Sequence, residues 1–229
     1  MASLKFVAIL SLMIYPIIVD SCGDSHFTDL SRGDHLTSTR TKRDTYISPS
    51  RKNCSPGSDI PSSRTNTTTR LQELRDKISS AGLFAYIVPS TDAHQSEYVA
   101  EEDKRRAWIT GYTGSNGFAV VTLSSAAVWV DGRYYIQGEE QLDCNWLMMK
   151  ADEPSTPDWI DWLEGEVPDG QAVVGADPSL SAAATWISWE ENLSSRNIKL
   201  KPVRENLVDL VWDKNQTNDL SSIDVWKQE

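Results

Sequence analysis

Two apolar runs, GFAVVT at Gly117 to Thr122 and AAVWV at Ala126 to Val130, are separated only by Leu123, Ser124 and Ser125. Strand-forming runs with so short a gap read as a β-hairpin, so this chain must be built around a sheet. The sequence around the hairpin supplies the rest of that sheet and its cover. FAYIV at Phe84 to Val88 reads as a buried strand stopped by Pro89. Before it, Leu71, Leu74 and Ile78 repeat on one helical face, with Thr69 and Gln72 placed to form a capping box and Gly82 placed to end the helix. Glu101 to Ile109 reads as a charged surface helix. Then come a helix around Tyr134 to Leu142, a strand at Trp146 to Met149, a helix at Pro157 to Glu164 opened by Thr156, and a strand at Ala172 to Val174. A helix from Ala182 to Leu193 and a strand at Ile198 to Leu200 complete the set. Alternating helices and strands with one hairpin predict an α/β fold, a mixed sheet flanked by helices on both faces. Residues 69–206 suit one domain, and seven of the chain's nine Trp residues give it large apolar contributors. Leu207, Leu210 and Trp212, at helical spacing, predict a closing helix, so that 207–229 is that helix and a linker toward a missing second domain.

The amino-terminal part is of another kind. Leu4 to Val19 is apolar, too short to span a bilayer comfortably, and followed by small residues, so residues 1–23 read as a signal peptide. Residues 24–68 are rich in Ser, Thr, Asp, Arg and Pro and are expected to be a disordered leader. Within it Arg40, Thr41, Lys42 and Arg43 match the basic pattern cut by secretory convertases, which would leave Asp44 first; a solvated basic cluster is the alternative. Arg32, Gly33 and Asp34 form an integrin-type triplet that chance in such a tail explains. No later segment is apolar enough for a membrane span. The chain is expected to be secreted and extracellular, with acceptors for glycosylation at Asn53, Asn66, Asn192 and Asn215. Of Cys22, Cys54 and Cys144, the first lies at the cleavage site, so a Cys54 to Cys144 disulfide is expected, a free or intermolecular thiol being the alternative. A net charge of -11 argues against nucleic acid as a partner.

Catalytic chemistry is hard to assemble from these residues. Of three His, only His94 lies in folded sequence, and there is no HExxH or CxxC. Asp92 beside His94 reads as a hydrogen-bonded turn at a strand exit rather than a ligand pair. Gly114, Ser115, Asn116 and Gly117 resemble a phosphate loop only superficially, because a strand and not a helix follows; a tight turn is the reading. Asp131, Gly132, Arg133 and Tyr134 read as a turn in which Asp131 caps the next helix and pairs with Arg133.

PSTDAHQSEYVA, RRAWITGYTGSNGFAVV, AVWVDGRYYIQGEEQLDCNWLMMK and PVRENLVDLVW, in that order, resemble the amino-terminal domain of the Xaa-Pro aminopeptidase family (aminopeptidase P) of the creatinase/prolidase group. The resemblance implies the creatinase/prolidase amino-terminal fold, and removal of an amino-terminal residue that precedes proline. It implies a dinuclear manganese or similar centre in a carboxy-terminal domain whose two Asp, one His and two Glu have no counterpart here. No residue is therefore assigned as catalytic or metal-binding, no cofactor is expected in this chain, and proline-containing peptides would be met only through the missing domain. The family-matching residues Asp92, His94, Tyr98, Gly111, Gly114, Gly117, Asp131, Gly132, Arg133 and Tyr134 are candidates for structural or cleft-shaping roles. The leading expectation is a truncated, inactive first domain of a secreted Xaa-Pro aminopeptidase. The alternative is a non-enzymatic secreted module that forms a homodimer or pairs with a full-length enzyme.

Overall fold

A computed structural model of the chain describes residues 64–168 and 172–214. The expected signal peptide, most of the leader, the convertase and Arg-Gly-Asp motifs, Cys22, Cys54, Asn53, Asn215 and the linker lie outside the described residues.

The elements follow the order α1 (Thr68–Ser80), β1 (Ala85–Pro89), α2 (Arg105–Thr110), β2 (Phe118–Thr122), β3 (Ala126–Val130), α3 (Tyr135–Gln141), β4 (Leu147–Lys150), α4 (Trp159–Glu166), β5 (Ala172–Ala176), α5 (Ala183–Ser194) and β6 (Ile198–Pro202). The strands form one mixed sheet in the order β4-β3-β2-β1-β5-β6. β2 runs antiparallel to both neighbours, and the other pairs are parallel. The hairpin turn is held by Thr122, whose Oγ1 accepts from Ser125 N at 2.8 Å while its N–H donates to Ser125 O at 2.9 Å.

Side chains alternate across the sheet as the period of a strand requires. Tyr86 and Val88 pack with Leu71, Leu74 and Ile78 of α1, Ile109 of α2 and Tyr112. Ala85 and Ile87 face the opposite way, onto Ile160, Trp162 and Leu163 of α4 and Trp189 and Leu193 of α5. Each face thus carries its own apolar layer, as the uninterrupted strand runs predicted.

The register places one edge of the sheet in a special position. Pro89 pairs with Phe118 and Phe118 with Trp129, Val130 pairs with Lys150, and Ala176 with both Ile87 and Pro202. The carboxyl ends of β1, β3, β4, β5 and β6 therefore share an edge with the start of β2. From β1 the chain builds outward through β2, β3 and β4, then returns to lay β5 and β6 on the other side of β1. The sheet's topological switch point lies between β1 and β5.

Local expectations fail where tertiary contacts outweigh local signals. The N-cap position of α1 is Thr67, not Thr69. Thr67 is buried, its Oγ1 donating to Asp143 Oδ2 at 2.8 Å, while Asn66 Oδ1 accepts from Thr68 N at 3.0 Å. Gln72 turns to Asp76, 3.0 Å away, and closes no capping box. The 101–109 stretch splits into a short turn at Glu101–Asp103 and α2, and Arg106 is buried. α4 is opened by Asp158, whose carboxylate accepts from Ile160 N at 2.9 Å, rather than by Thr156. The predicted closing helix is a run of turns over 207–211. Asn206 is the cause: it donates to Asp177 Oδ2 at 3.0 Å and accepts from Val208 N at 3.0 Å, which turns Val208 into the core and leaves Leu210 exposed.

Gly82 ends α1 as read, at φ +66, with Gly82 N donating to Ser79 O and Leu83 N to Ile78 O, both at 3.0 Å. Nothing lies within 4 Å of a Cβ built there, so the cost of a side chain is one of backbone conformation alone. Gly82→Ala is expected to lower stability by about 1 kcal/mol, read from urea denaturation midpoints; an unchanged midpoint would contradict the left-handed cap.

Candidate functional site

The residues singled out from the sequence gather at the carboxyl edge of the sheet, in three loops. In the loop after β1, Asp92 is buried and its Oδ1 accepts from His94 N at 3.0 Å and Ser96 N at 2.9 Å. These bonds, that from the Ser96 backbone foremost, hold its carboxyl below the usual carboxylate range. His94 and Tyr98 are exposed. Asp92 and His94 thus make the turn expected of them. The loop is tied to the far side of the switch point, because Thr91 Oγ1 and Gln95 Nε2 donate to Leu180 O at 2.5 and 3.1 Å.

The second loop, 111–117, wraps a cation. Gly111, at φ +74, ends α2 and lets the chain reverse beneath it. The guanidinium of Arg106, a residue only 4% exposed, donates from Nε to Ser90 Oγ at 2.8 Å, from Nη1 to Tyr112 O at 2.7 Å, and from Nη2 to Gly114 O. It also lies 4.7 Å from the centre of the Tyr112 ring. Ser90 Oγ passes the chain of bonds on to Gly117 O, and Tyr112 Oη donates to Asn116 O at 2.9 Å. Burial pulls the Arg106 pKa down to about 10, which leaves it charged at neutral pH. Gly114 is required by close approach, since a Cβ there would fall 2.1 Å from Tyr112 Oη. At Gly117 the same test gives 3.2 Å to Tyr112 Cε1. A phosphate cradle presents N–H groups to its ligand, whereas this loop turns carbonyls onto its own arginine. The segment expected to be a tight turn is instead an open loop with a bend at Ser115, held by its bonds to Arg106 and Tyr112.

The third loop follows β3. Asp131 accepts from Arg133 N at 3.0 Å and pairs with Arg133 Nη2 at 2.7 Å, and this partner depresses its carboxyl pKa. Gly132 N donates to Asp152 Oδ2 at 2.7 Å. Tyr134 Oη lies 2.6 Å from Ser115 Oγ and so joins this loop to the second. The cap and ion pair read from the sequence are both present.

Among the described residues no group of three or more His, Cys, Asp or Glu side chains converges to hold a metal. The described residues do not fit a dinuclear centre. Cys144 is disulfide-bonded; its expected partner Cys54 lies outside the described residues. Asn66 and Asn192 are exposed. No described helix is long and apolar enough to cross a membrane. Arg106, the group that organises this edge, was missed by reading its helix as surface; the available signal was its spacing of three and four residues before buried Ile109 and Thr110. Also unforeseen is an open cavity of about 350 Å³ at the switch point, between the loop after β1 and the start of α5.

Residues 70–210 match the creatinase/prolidase N-terminal domain family. The chain is 48% identical over 162 residues to Xaa-Pro aminopeptidase 2 of Homo sapiens, covering 70% of this chain and 24% of that protein. To Xaa-Pro aminopeptidase ApepP of Drosophila melanogaster it is 46% identical over 157 residues, 67% of this chain and 25% of the other. Among solved structures, the X-prolyl aminopeptidase of Caenorhabditis elegans, a cytosolic enzyme with a di-nuclear active site, superposes with a TM-score of 0.61 at 34% identity, over 65% of this chain and 26% of that one. The chain thus spans about a quarter of the length of these relatives.

Arg106→Met would leave two carbonyls and the Ser90 hydroxyl without their donor, and is expected to cost about 3 kcal/mol or more in denaturant melts. A loss within error would remove Arg106 from its organising role. The bonds to Asp92 give a further expectation. A depressed carboxyl contributes its stability in full above the unfolded pKa and loses it as pH falls through the lowered folded value. Asp92→Asn is therefore expected to be less acid-sensitive than the parent in melts taken from neutrality through the carboxylate range; parallel acid limbs would contradict this.

Proposed function

The chain belongs to the creatinase/prolidase N-terminal domain family, and from that premise we propose that it is the non-catalytic first domain of a secreted Xaa-Pro aminopeptidase. Such an enzyme removes an amino-terminal residue that precedes proline. The observation that carries this reading is the match to about a quarter of the length of two Xaa-Pro aminopeptidases at 46 and 48% identity, through blocks in which Arg106, Asp92 and Asp131 are engaged within the fold. Arg106 is consumed by backbone carbonyls, Asp92 by backbone N–H groups and Asp131 by Arg133. The manganese or similar dinuclear centre is, in this reading, supplied by sequence outside the matched domain. In this reading the domain supplies a rigid wall to the larger enzyme. Export is supported by the apolar Leu4 to Val19 run and by exposed acceptor asparagines at 66 and 192.

A second reading, a binding or dimerisation module, is favoured by Tyr98 and Ile136, which are 86% and 76% exposed on loops and helix at the carboxyl edge. Two measurements test the pair. The purified chain with manganese is expected not to cleave an Arg-Pro-Pro peptide, and metal-dependent turnover would overturn the first reading. A chimera in which residues 70–210 replace the matching stretch of the C. elegans enzyme is expected to keep proline-specific cleavage. Loss of cleavage in a folded chimera, together with a concentration-dependent dimer of this chain in light scattering, would favour the second.

A further inference from the structure

The two edges of the sheet are finished differently. β6 carries Lys199 and Lys201, both exposed, and ends in Pro202; lysine and proline on an outer strand keep other chains from pairing with it. β4, the other outer strand, offers Leu147, Met148 and Met149 before its single Lys150. Ala151 N donates to Val130 O at 2.9 Å, which turns Ala151, and with it every second residue of β4, toward β3. Met148 and Lys150 therefore aim their N–H groups away from the sheet, and among the described residues no acceptor meets either of them. α3 lies over this strand so closely that a Cβ built on Gly138 would fall 2.7 Å from Met148 Sδ. Ile136 of the same helix is nevertheless left 76% exposed.

The covalent structure decides what is held beside this edge. Cys144, three residues before Leu147, is disulfide-bonded. The chain's other cysteines are Cys22 and Cys54, and Cys22 lies in the stretch read as a signal peptide, which leaves Cys54. Arg64 fixes the chain a second time at the same turn, donating from Nε to Glu140 O at 3.1 Å and from Nη2 to Glu139 O at 3.2 Å. With Cys54 on Cys144, the residues before it depart from the start of β4. Going back from Cys54, the first run of strand-forming residues is Thr45, Tyr46 and Ile47, bounded by Pro49. Extended chain from Cys54 back to Ser48 reaches about 20 Å, farther than the roughly 13 Å length of β4. So short a tether gives the segment an effective concentration of millimolar order, which a second copy of the chain in dilute solution does not match.

We propose that residues 45–48 dock on the open edge of β4 as an added outer strand, antiparallel to it, their backbone oxygens accepting from Met148 N and Lys150 N. The direction follows from the tether, because the segment runs toward Cys54 and so from the carboxyl end of β4 back to its start. Alternation along a strand puts Tyr46 and Ile47 on opposite faces, one of them on the α3 face, where Ile136 is uncovered. The segment follows Arg40, Thr41, Lys42 and Arg43, so cleavage at that pattern would leave it on the domain. This docking concerns the domain's own chain and stands or falls apart from the aminopeptidase reading.

Hydrogen exchange, followed by NMR on the full ¹⁵N-labelled chain with its disulfide intact, tests the pairing. The amides of Met148 and Lys150 are expected to exchange slowly in the parent, and about tenfold or more faster in Cys54→Ser, which removes the tether. At least one of Tyr46→Pro and Ile47→Pro is expected to release them too, because one of two adjacent strand residues turns its N–H toward β4 and proline has none. Val120 and Val121 of β2, as slow in each variant as in the parent, show that the sheet is intact. Fast exchange at Met148 and Lys150 in the parent, or slow exchange that survives Cys54→Ser or both proline variants, overturns the proposal. So does protection that rises with protein concentration alongside a dimer in light scattering, which would place a second copy on the edge, or a Cys22 to Cys144 bond in a non-reduced digest.

Discussion

A charged guanidinium sealed from water and met only by neutral oxygens sets the shape of the sheet's carboxyl edge. Taking such an ion out of water is costly unless most of its donors are used, and Arg106 spends Nε, Nη1 and Nη2 on Ser90, Tyr112 and Gly114. The three acceptors come from two loops separated by α2, so the ion ties the exit of β1 to the entry of β2. Since those strands are paired from Ala85 through Pro89, any shift of the 111–117 loop would strip a buried cation of its partners. The geometry of the edge follows from that constraint, including the glycine at 114 that gives Tyr112 room to stack against the cation.

A second polar lock holds the other side of α1. Asp143 Oδ2 accepts from Thr67 N at 2.6 Å, from Thr67 Oγ1, and from Asn145 Nδ2 at 3.0 Å, while Trp146 Nε1 donates to Thr67 Oγ1 at 3.1 Å. The start of α1 is thereby joined to the turn between α3 and β4, next to the disulfide-bonded Cys144. On the opposite face the joint is aromatic. Trp129, Trp162, Phe118, Trp159 and Trp189 meet in pairs at 5.1 to 6.5 Å between ring centres, clamping α4 and α5 to the sheet. Polar locks on one face and aromatic contacts on the other together fix the helices on the sheet.

These joints also explain which parts of the molecule could be read from the chain. The hairpin, β1 and the α1 core face depend on short-range apolar patterning, and GFAVVT, AAVWV, FAYIV and the Leu71, Leu74, Ile78 repeat carried it plainly. Gly82 was legible because a left-handed cap is a local demand. Thr67 was not, because its hydroxyl answers Asp143, 76 positions away, where Thr69 offered a capping pattern close at hand. Asn206 deceived in the same manner: helical spacing at Leu207, Leu210 and Trp212 looked sufficient, and a buried bond to Asp177 prevailed. Arg106 lay hidden inside a run of charges, where composition suggests solvent and only its phase relative to Ile109 suggests burial. At the candidate site the Asp92 and Asp131 turns were readable as local motifs, while the cavity was not, since its walls come from β1, β2 and α5, which meet only through sheet order.

The likeness to aminopeptidase P and the internal pairing of the polar groups in its blocks have a common cause. The blocks that identify the family contain Asp92, Gly111, Gly114, Gly117 and Asp131, and each answers a demand of the fold: an N–H pair to accept, a positive φ, a ring to clear, a guanidinium to admit, a helix turn to cap. Such demands restrict residue type as sharply as catalysis does, because a buried donor left unpaired or a Cβ driven into a ring costs as much stability as many whole domains can spare. A motif can therefore be highly specific while all of its polar atoms are occupied within the molecule.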